Sequence, residues 1–323
     1  MMQRRSLFGV GAATLLGAPG LALAQPRYPD RPVRIIVPFP PGGATDIIAR
    51  MVAEKLQARW GQGTIIENRG GAGTIVGSQL VARATPDGYT LGFVISAHTI
   101  NPALRRDLPY DTLRDFAHIT QVARAHVALL ANNDLPARTL REVVDLSKRT
   151  PGGLSVATPG VGTVMHMIME LLAAESGANL VHVPYQGGAA AVADVTSGRV
   201  ALQLDPWHSS RPQVEAGRLR VIAAASSIPV PGAERIPLMN ADYPGVAAFS
   251  VIGLAGPGGT PRAIVDQVQQ DVHAVVHERE MAARMGEMGL EPVASTPAEF
   301  ARLVETEIPR WREVVRVRGI QPS

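Results

Sequence analysis

Apolar positions along this chain change their period in a fixed rhythm. "VRIIVPF" (33–39) is a nearly continuous apolar run of strand length. After "PPGGA" the apolar residues Ile47, Ile48, Met51, Val52 and Leu56 recur at helical spacing, which predicts a helix from Thr45 to Trp60 stopped by Gly61. "TIIEN" then reads as a second strand, "RGGAG" as a turn, the residues through Leu80 and Val81 as a short helix, "TPDG" as a turn and "YTLGFVI" as a third strand. The same order returns further on. "LSVAT", the turn "PGVG", a helix from Thr163 to about Ser176 with Met165, Ile168, Met169 and Leu172 on one stripe, "LVHVPY", the turn "QGG", a short Ala-rich helix ending at Gly198, and "VALQLD" repeat the element order without visible sequence likeness.

Alternating strands and helices predict an α/β fold of two units, each a mostly parallel mixed sheet with right-handed crossovers and helices on both faces. Ligands of such sheets bind beyond the carboxyl ends of the strands. That edge collects residues 38–46, 68–74 and 95–100 in the first unit, and 157–164, 184–189 and 205–209 in the second. "FAHITQVARAHVALLAN" (116–132) reads as two extended pieces linking the units, and 245–257 as the return. The C-terminal part reads as helices that brace the lobes, with start signals at Thr260-Pro261 and in the capping box Thr296-Pro297-Ala298-Glu299; Thr139 with Glu142 forms another box.

Residues 1–24 stand apart from this rhythm. Arg4 and Arg5, an apolar middle and the ending Ala22-Leu23-Ala24 predict a cleaved secretory signal. Glycines and prolines interrupt its apolar stretch, against a membrane anchor of ~20 residues. The arginine pair leaves the general and twin-arginine routes both open. Removing Arg4 and Arg5 from the 31 basic residues leaves 29 against 28 acidic ones, so the mature chain is nearly neutral and nucleic acid is not an expected partner. Cysteine is absent, which excludes disulfides, thiolate metal sites and thiol redox chemistry.

The glycine loops carry the candidate chemistry. A helix amino end offers unpaired N–H groups and partial positive charge, so glycines at residues 42–46 would let an anion approach the backbone without an arginine. Alone, this loop also reads as an ordinary capped turn. The recurrence of glycines and a hydroxyl residue, Thr163, in "TPGVGT" favours two amino ends facing one cleft. They would suit a small anion charged at both ends, or one carboxylate gripped from both sides. Nucleotide motifs fit poorly: "GAGTIVG" (71–77) misses the dinucleotide spacing and follows the second strand, and no phosphate-loop pattern occurs. Neither G-x-S-x-G nor H-E-x-x-H is present. His273 and His277 lie one turn apart among Asp271, Glu278 and Glu280, as on a solvated helix face. Of the histidines near the expected cleft, His98, His166, His182 and His208, His166 is the candidate for ligand contact because it sits one turn into the helix behind "PGVGT". Asp46 reads as a cap of its helix or a partner for an amino or hydroxyl group of the ligand, and Asp205 as a carboxylate that orders loops through backbone N–H groups; the structural role is favoured for both, since a buried carboxylate without donors is costly.

The run of "YPDRPVRIIVPFPPGGATDIIAR", "ENRGGAGTIVG", "PDGYTL", "INPAL", "LPYDTLRDFAHIT", "GVGTVMH", "VHVPYQGGA", "AGRLRVIA" and "GPGGTPRAIVDQV" closely resembles the extracytoplasmic solute receptors of tripartite tricarboxylate transporters, the Bug proteins, over nearly all of the mature chain. The resemblance implies a two-lobed periplasmic-binding-protein fold of type II-like form that closes on a small carboxylate and presents it to membrane permease subunits, as a monomer, without cofactor, metal or catalysis. It divides the chain into the signal 1–24, lobe 1 (25–123 with 248–323) and lobe 2 (124–247). Carried onto this sequence, the ligand contacts are Phe39, Gly43, Ala44, Thr45, Asp46, Ala97 and His98 from lobe 1, and Thr158, Gly160, Gly162, Thr163, His166, Tyr185, Gly187 and Asp205 from lobe 2. Two positions depart from the family pattern: Val164 stands where a serine is frequent, and Trp207, after Pro206, where residues tend to be smaller. Trp207 is therefore expected to narrow the pocket or to offer a stacking face. The alternative function is a periplasmic carboxylate sensor feeding a signalling system.

Overall fold

A computed structural model of the chain describes residues 28–320; the expected signal, 1–24, lies outside the described residues. The first unit runs β1 (Val33–Val37), α1 (Ala44–Trp60), β2 (Thr64–Asn68), α2 (Ile75–Ala82), β3 (Thr90–Ile95) and α3 (Ala97–Leu104). A 17-residue strand, β4 (Phe116–Asn132), leads to the second unit. This consists of α4 (Leu140–Arg149), β5 (Leu154–Thr158), α5 (Val164–Ser176), β6 (Leu180–Pro184), α6 (Gly188–Thr196), β7 (Leu202–Pro206), α7 (Trp207–Glu215), β8 (Leu219–Ala224) and α8 (Met239–Asp242). The chain returns through β9 (Phe249–Pro257) and ends with α9 (Arg262–Val276), α10 (Arg279–Glu287), β10 (Leu290–Pro292) and α11 (Pro297–Val317).

The strands order as β2-β1-β3-β9-β4-β7-β5-β6, with β8 and β10 also paired to β4. Strands β1, β2 and β3 are parallel, as are β5, β6 and β7. β4 belongs to both lobes. Phe116 to His126 pairs antiparallel with β9, and Val127 to Ala131 with β7. The sequence pattern of two extended pieces is thus one strand, interrupted by register shifts between His118 and Thr120, between Gln121 and Ala123, and between Leu129 and Leu130. Such irregularities bend a strand and let a single segment serve two differently twisted sheets.

Alternate residues of each sheet face different helix layers, as period-2 geometry requires. In lobe 1, Ile35 and Phe93 pack with Ile48, Leu56 and Val268 of α1 and α9, while Ile36 and Val94 pack with Val81, Phe300 and Val304 of α2 and α11. In lobe 2, Val156, Leu202 and Leu204 face α4 and α5, and Leu130, Ala157 and Leu219 face α6. The last helix spans both. Its amino half buries Phe300 against Gly253, where an added Cβ would strike the ring, and its carboxyl half buries Trp311, Val314 and Val315 with α3 and α5. Each of these fully buried large side chains contributes about 1.5–3 kcal/mol. Both capping boxes form, Thr139 with Glu142 and Thr296 with Glu299.

Two segments expected as loops are helical. Residues 97–104 form α3 despite Pro102, whose missing N–H frees the carbonyl of His98; Thr112 Oγ1 donates to that oxygen at 3.4 Å. Residues 207–215 form α7 directly after β7, with Pro212 inside it. In both, tertiary packing overrides a helix-breaking residue.

Candidate functional site

At the carboxyl ends of the parallel strands the two lobes enclose a cavity of about 300 Å³. Lobe 1 contributes Phe39 after β1, Gly73 and Thr74 after β2, Ile95 to Ala97 after β3, and Asn101, Leu104 and Arg105 at α3. Lobe 2 contributes Val161 to Met165 at the start of α5, and Ser250 and Ile320 complete the wall. The lobes touch here: a Cβ on Gly162 would lie 3.2 Å from Leu104 Cδ1.

The loop after β2 is strained. Gly71, Ala72, Gly73 and Thr74 all have positive φ, at 133°, 47°, 62° and 77°. For Ala72 and Thr74 this costs roughly 1–2 kcal/mol each, and Asn101 Nδ2 secures the turn by donating to the Gly73 carbonyl at 3.0 Å. Ser96, between β3 and α3, accepts from the Val251 N–H at 2.8 Å and so ties this edge to β9. Ala97 opens α3, so its N–H has no intrahelical carbonyl.

The opposing wall is the turn before α5. Gly160 and Gly162 have φ of 149° and 77°, and the loop is braced from behind by side chains. Thr163 Oγ1 donates to the Gly160 carbonyl at 2.8 Å and accepts from the His166 N–H at 3.3 Å. Gly160 N–H donates to Thr158 Oγ1, which pairs at 2.7 Å with His182 Nε2. Gly162 N–H donates to His166 Nδ1 at 3.3 Å, and His166 Nε2 lies 3.6 Å from Glu170. The His166 ring stacks on His182 with centroids 4.0 Å apart. Burial, with the neighbouring His166, pushes His182 down to about 4, so it is neutral at physiological pH. Burial alone would raise the Glu170 carboxyl, but His166 and Arg318 outweigh it and hold it below its ordinary value. Val164 and Met165, in the first turn of α5, line the cavity, and their N–H groups have no intrahelical carbonyl. The amino ends that reach the cavity are those of α3 and α5, and their dipoles favour negative charge between them.

Of the residues expected at the site, Phe39, Ala97, Gly162 and Thr163 line this cavity. Gly43, Ala44 and Thr45 open α1, and a Cβ on Gly43 would meet nothing within 4 Å. Asp46 is buried and accepts from Gly42 N–H, Arg50 Nε and Asn68 Nδ2 at 2.9, 3.0 and 2.8 Å. Burial would raise its carboxyl, yet those donors hold it below its ordinary value. His98 points into lobe 1: Nε2 lies 3.2 Å from His118 Nε2, and the ring packs edge-on to Phe116. Burial and His118 push it well below the ordinary histidine value. Thr158, Gly160 and His166 stand behind the α5 loop, as described. Tyr185 donates to Asp194 at 2.7 Å, Gly187 precedes α6, and Asp205 lies beneath Gly188 in the α6–α7 layer. Val164 puts an apolar face on the cavity. Trp207, expected to narrow the pocket, instead packs with Ala128, Ala224, Val230 and Ile236, because α7 turns it onto the sheet.

Sequence reasoning did not single out Thr74, Ser96, Asn101, Arg105, Ser250 or Ile320. The first two lie in segments flagged as edge loops. Arg105, Ser250 and Ile320 carry no local signal, since only packing brings them to the cleft.

Comparison with known proteins agrees with this architecture. The profile of the tripartite tricarboxylate transporter family receptor (TctC) matches residues 48–320. Protein BugT of Bordetella pertussis is 30% identical over 323 residues, covering 99% of this chain and 98% of its own. Among solved structures, R. palustris Rpa4515 with adipate is 31% identical with a TM-score of 0.79, over 92% of this chain and 100% of its own. MatC (Rpa3494) from Rhodopseudomonas palustris with bound malate is 30% identical with a TM-score of 0.74, over 89% and 100%. The chain therefore belongs to the tripartite tricarboxylate transporter receptor family, whose members are periplasmic solute-binding receptors and not enzymes.

Proposed function

We propose that this receptor captures a small dicarboxylate in the interlobe cavity and delivers it to the membrane subunits of a tripartite tricarboxylate-type permease. The observation that carries the reading is the meeting of two helix amino ends, α3 from one lobe and α5 from the other, on one cavity of about 300 Å³. That volume is at the small end of ligand sites. Between the polar ends the walls are apolar, from Phe39, Ile95, Leu104 and Val164, which suits a short methylene chain. Exposed Arg105 lines the same cavity and offers a cation to a second carboxylate. Adipate and malate, bound by the two relatives named above, are the first candidates.

In this reading the lobes are 25–123 with 248–323 and 124–247, the receptor acts as a monomer, and 1–24 exports it. β4, shared by both sheets, is the natural hinge, and closure follows from contacts the ligand makes better in the closed form. Calorimetric titration with adipate and malate tests the proposal. Saturable binding of at least one is expected, weakened about tenfold or more in Gly162→Leu, because the new side chain enters the gap toward Leu104. Absence of binding for both, or unchanged affinity in that variant, overturns it.

A further inference from the structure

Lobe 2 holds a second, larger concavity that the carboxylate site does not use. It is a groove of about 650 Å³ between α6 and α7, floored by β7 and walled by Leu130, Ala189, Val192, Ala193 and Leu219. Gln203 and Asp205, two apart on β7, face it together. Both are almost wholly buried, at 1% and 4% exposure. Gln203 Nε2 donates to the Gly188 carbonyl at 3.0 Å, which orients the amide and leaves Oε1 buried without a partner. Asp205 Oδ2 accepts from Ser209 and Ser210, while Oδ1 receives no hydrogen bond among the described residues. The cation at the groove's end, Arg218, is held by Gln213 Oε1 at 2.7 Å.

The floor therefore presents two acceptors, one of them a carboxylate, about 7 Å apart along the strand; Gln203 Oε1 has no donor, and Asp205 is met only by two serine hydroxyls, on Oδ2. A buried acceptor without a donor, as Gln203 Oε1 is, is costly, and the apolar walls suit a short hydrocarbon body. We infer that the α6–α7 groove is a second ligand site, which takes a small organic ammonium ion with its N–H groups directed at Asp205 and Gln203. The inference does not depend on the carboxylate reading, because the groove is lined by other residues.

The test uses the mature receptor and n-butylammonium chloride, followed by calorimetry and by melting temperature, with tetramethylammonium and 1-butanol as comparisons. Saturable binding of n-butylammonium with a raised melting temperature is expected. Asp205→Asn should weaken it by about tenfold or more, as loss of a charge-assisted hydrogen bond does. Ala193→Phe fills the groove from an exposed helical position; it should abolish n-butylammonium binding and leave adipate titration unchanged. Tetramethylammonium has no N–H and should bind far more weakly. No binding of n-butylammonium, equal binding of 1-butanol or tetramethylammonium, or full binding by Ala193→Phe overturns the inference.

Discussion

Replacing Asp205 by Asn should stabilise the folded receptor at neutral pH and do nothing at acid pH. The carboxyl lies against Gly188 in the α6–α7 layer, and burial pushes it up to about 6 despite the opposing hydroxyls of Ser209 and Ser210. From its ordinary value of 3.8 this is a rise of about two units, worth about 3 kcal/mol. The folded state holds the proton more tightly than the unfolded chain. Its contribution is therefore fully present below about pH 4 and is lost as pH rises through about 6. Asparagine keeps the shape and an acceptor for the serines but carries no charge to desolvate. Urea unfolding of both proteins from about pH 4 to about pH 8 should give equal stabilities at the acid end and a gap of about 3 kcal/mol in favour of the variant at the alkaline end. A pH-independent difference, or a variant less stable at the alkaline end, would refute the reasoning.

Three further outcomes follow from the contacts described. Gly188→Ala drives a Cβ into the Asp205 carboxylate and should cost about 1–3 kcal/mol of unfolding free energy; in an Asp205→Ala background most of that cost should vanish, and a purely additive double mutant counts against the contact. Asp271 accepts from Arg59 Nε at 2.5 Å and from Trp60 Nε1 at 2.8 Å, so Asp271→Ala should destabilise by about 1–3 kcal/mol through the unpaired indole N–H, read by urea unfolding. Thr296→Ala removes the cap of α11 and should cost about 1 kcal/mol, seen as a lowered melting temperature; an unchanged value would mean that packing alone holds that end.

Much of the architecture was readable from local chemistry. The apolar period separates β1 from α1, and Gly61 and Gly177 end α1 and α5 in the left-handed region that glycine enters without penalty. The capping boxes mark α4 and α11. The glycines of "PGVG" mark the turn that lines the cavity. These signals act over a few residues, and neighbours in sequence suffice to produce them.

The composition of the cleft was not readable in this way, because it depends on pairs far apart in the chain. Thr74, Arg105, Thr163, Ser250 and Ile320 line one cavity only after β4 has crossed between sheets and α11 has packed along both lobes. Local pattern also cannot tell which way a polar residue turns. His98 and His166 both follow a turn at a strand's end, yet packing sends the first into the core of lobe 1 and sets the second behind its loop. The rhythm of apolar residues specified which elements form and where they stop, since hydrogen bonding and backbone sterics are local. Which loops meet, and which acceptor on β7 is left without a donor, followed from how the layers close on one another, since burial is a property of the whole assembly.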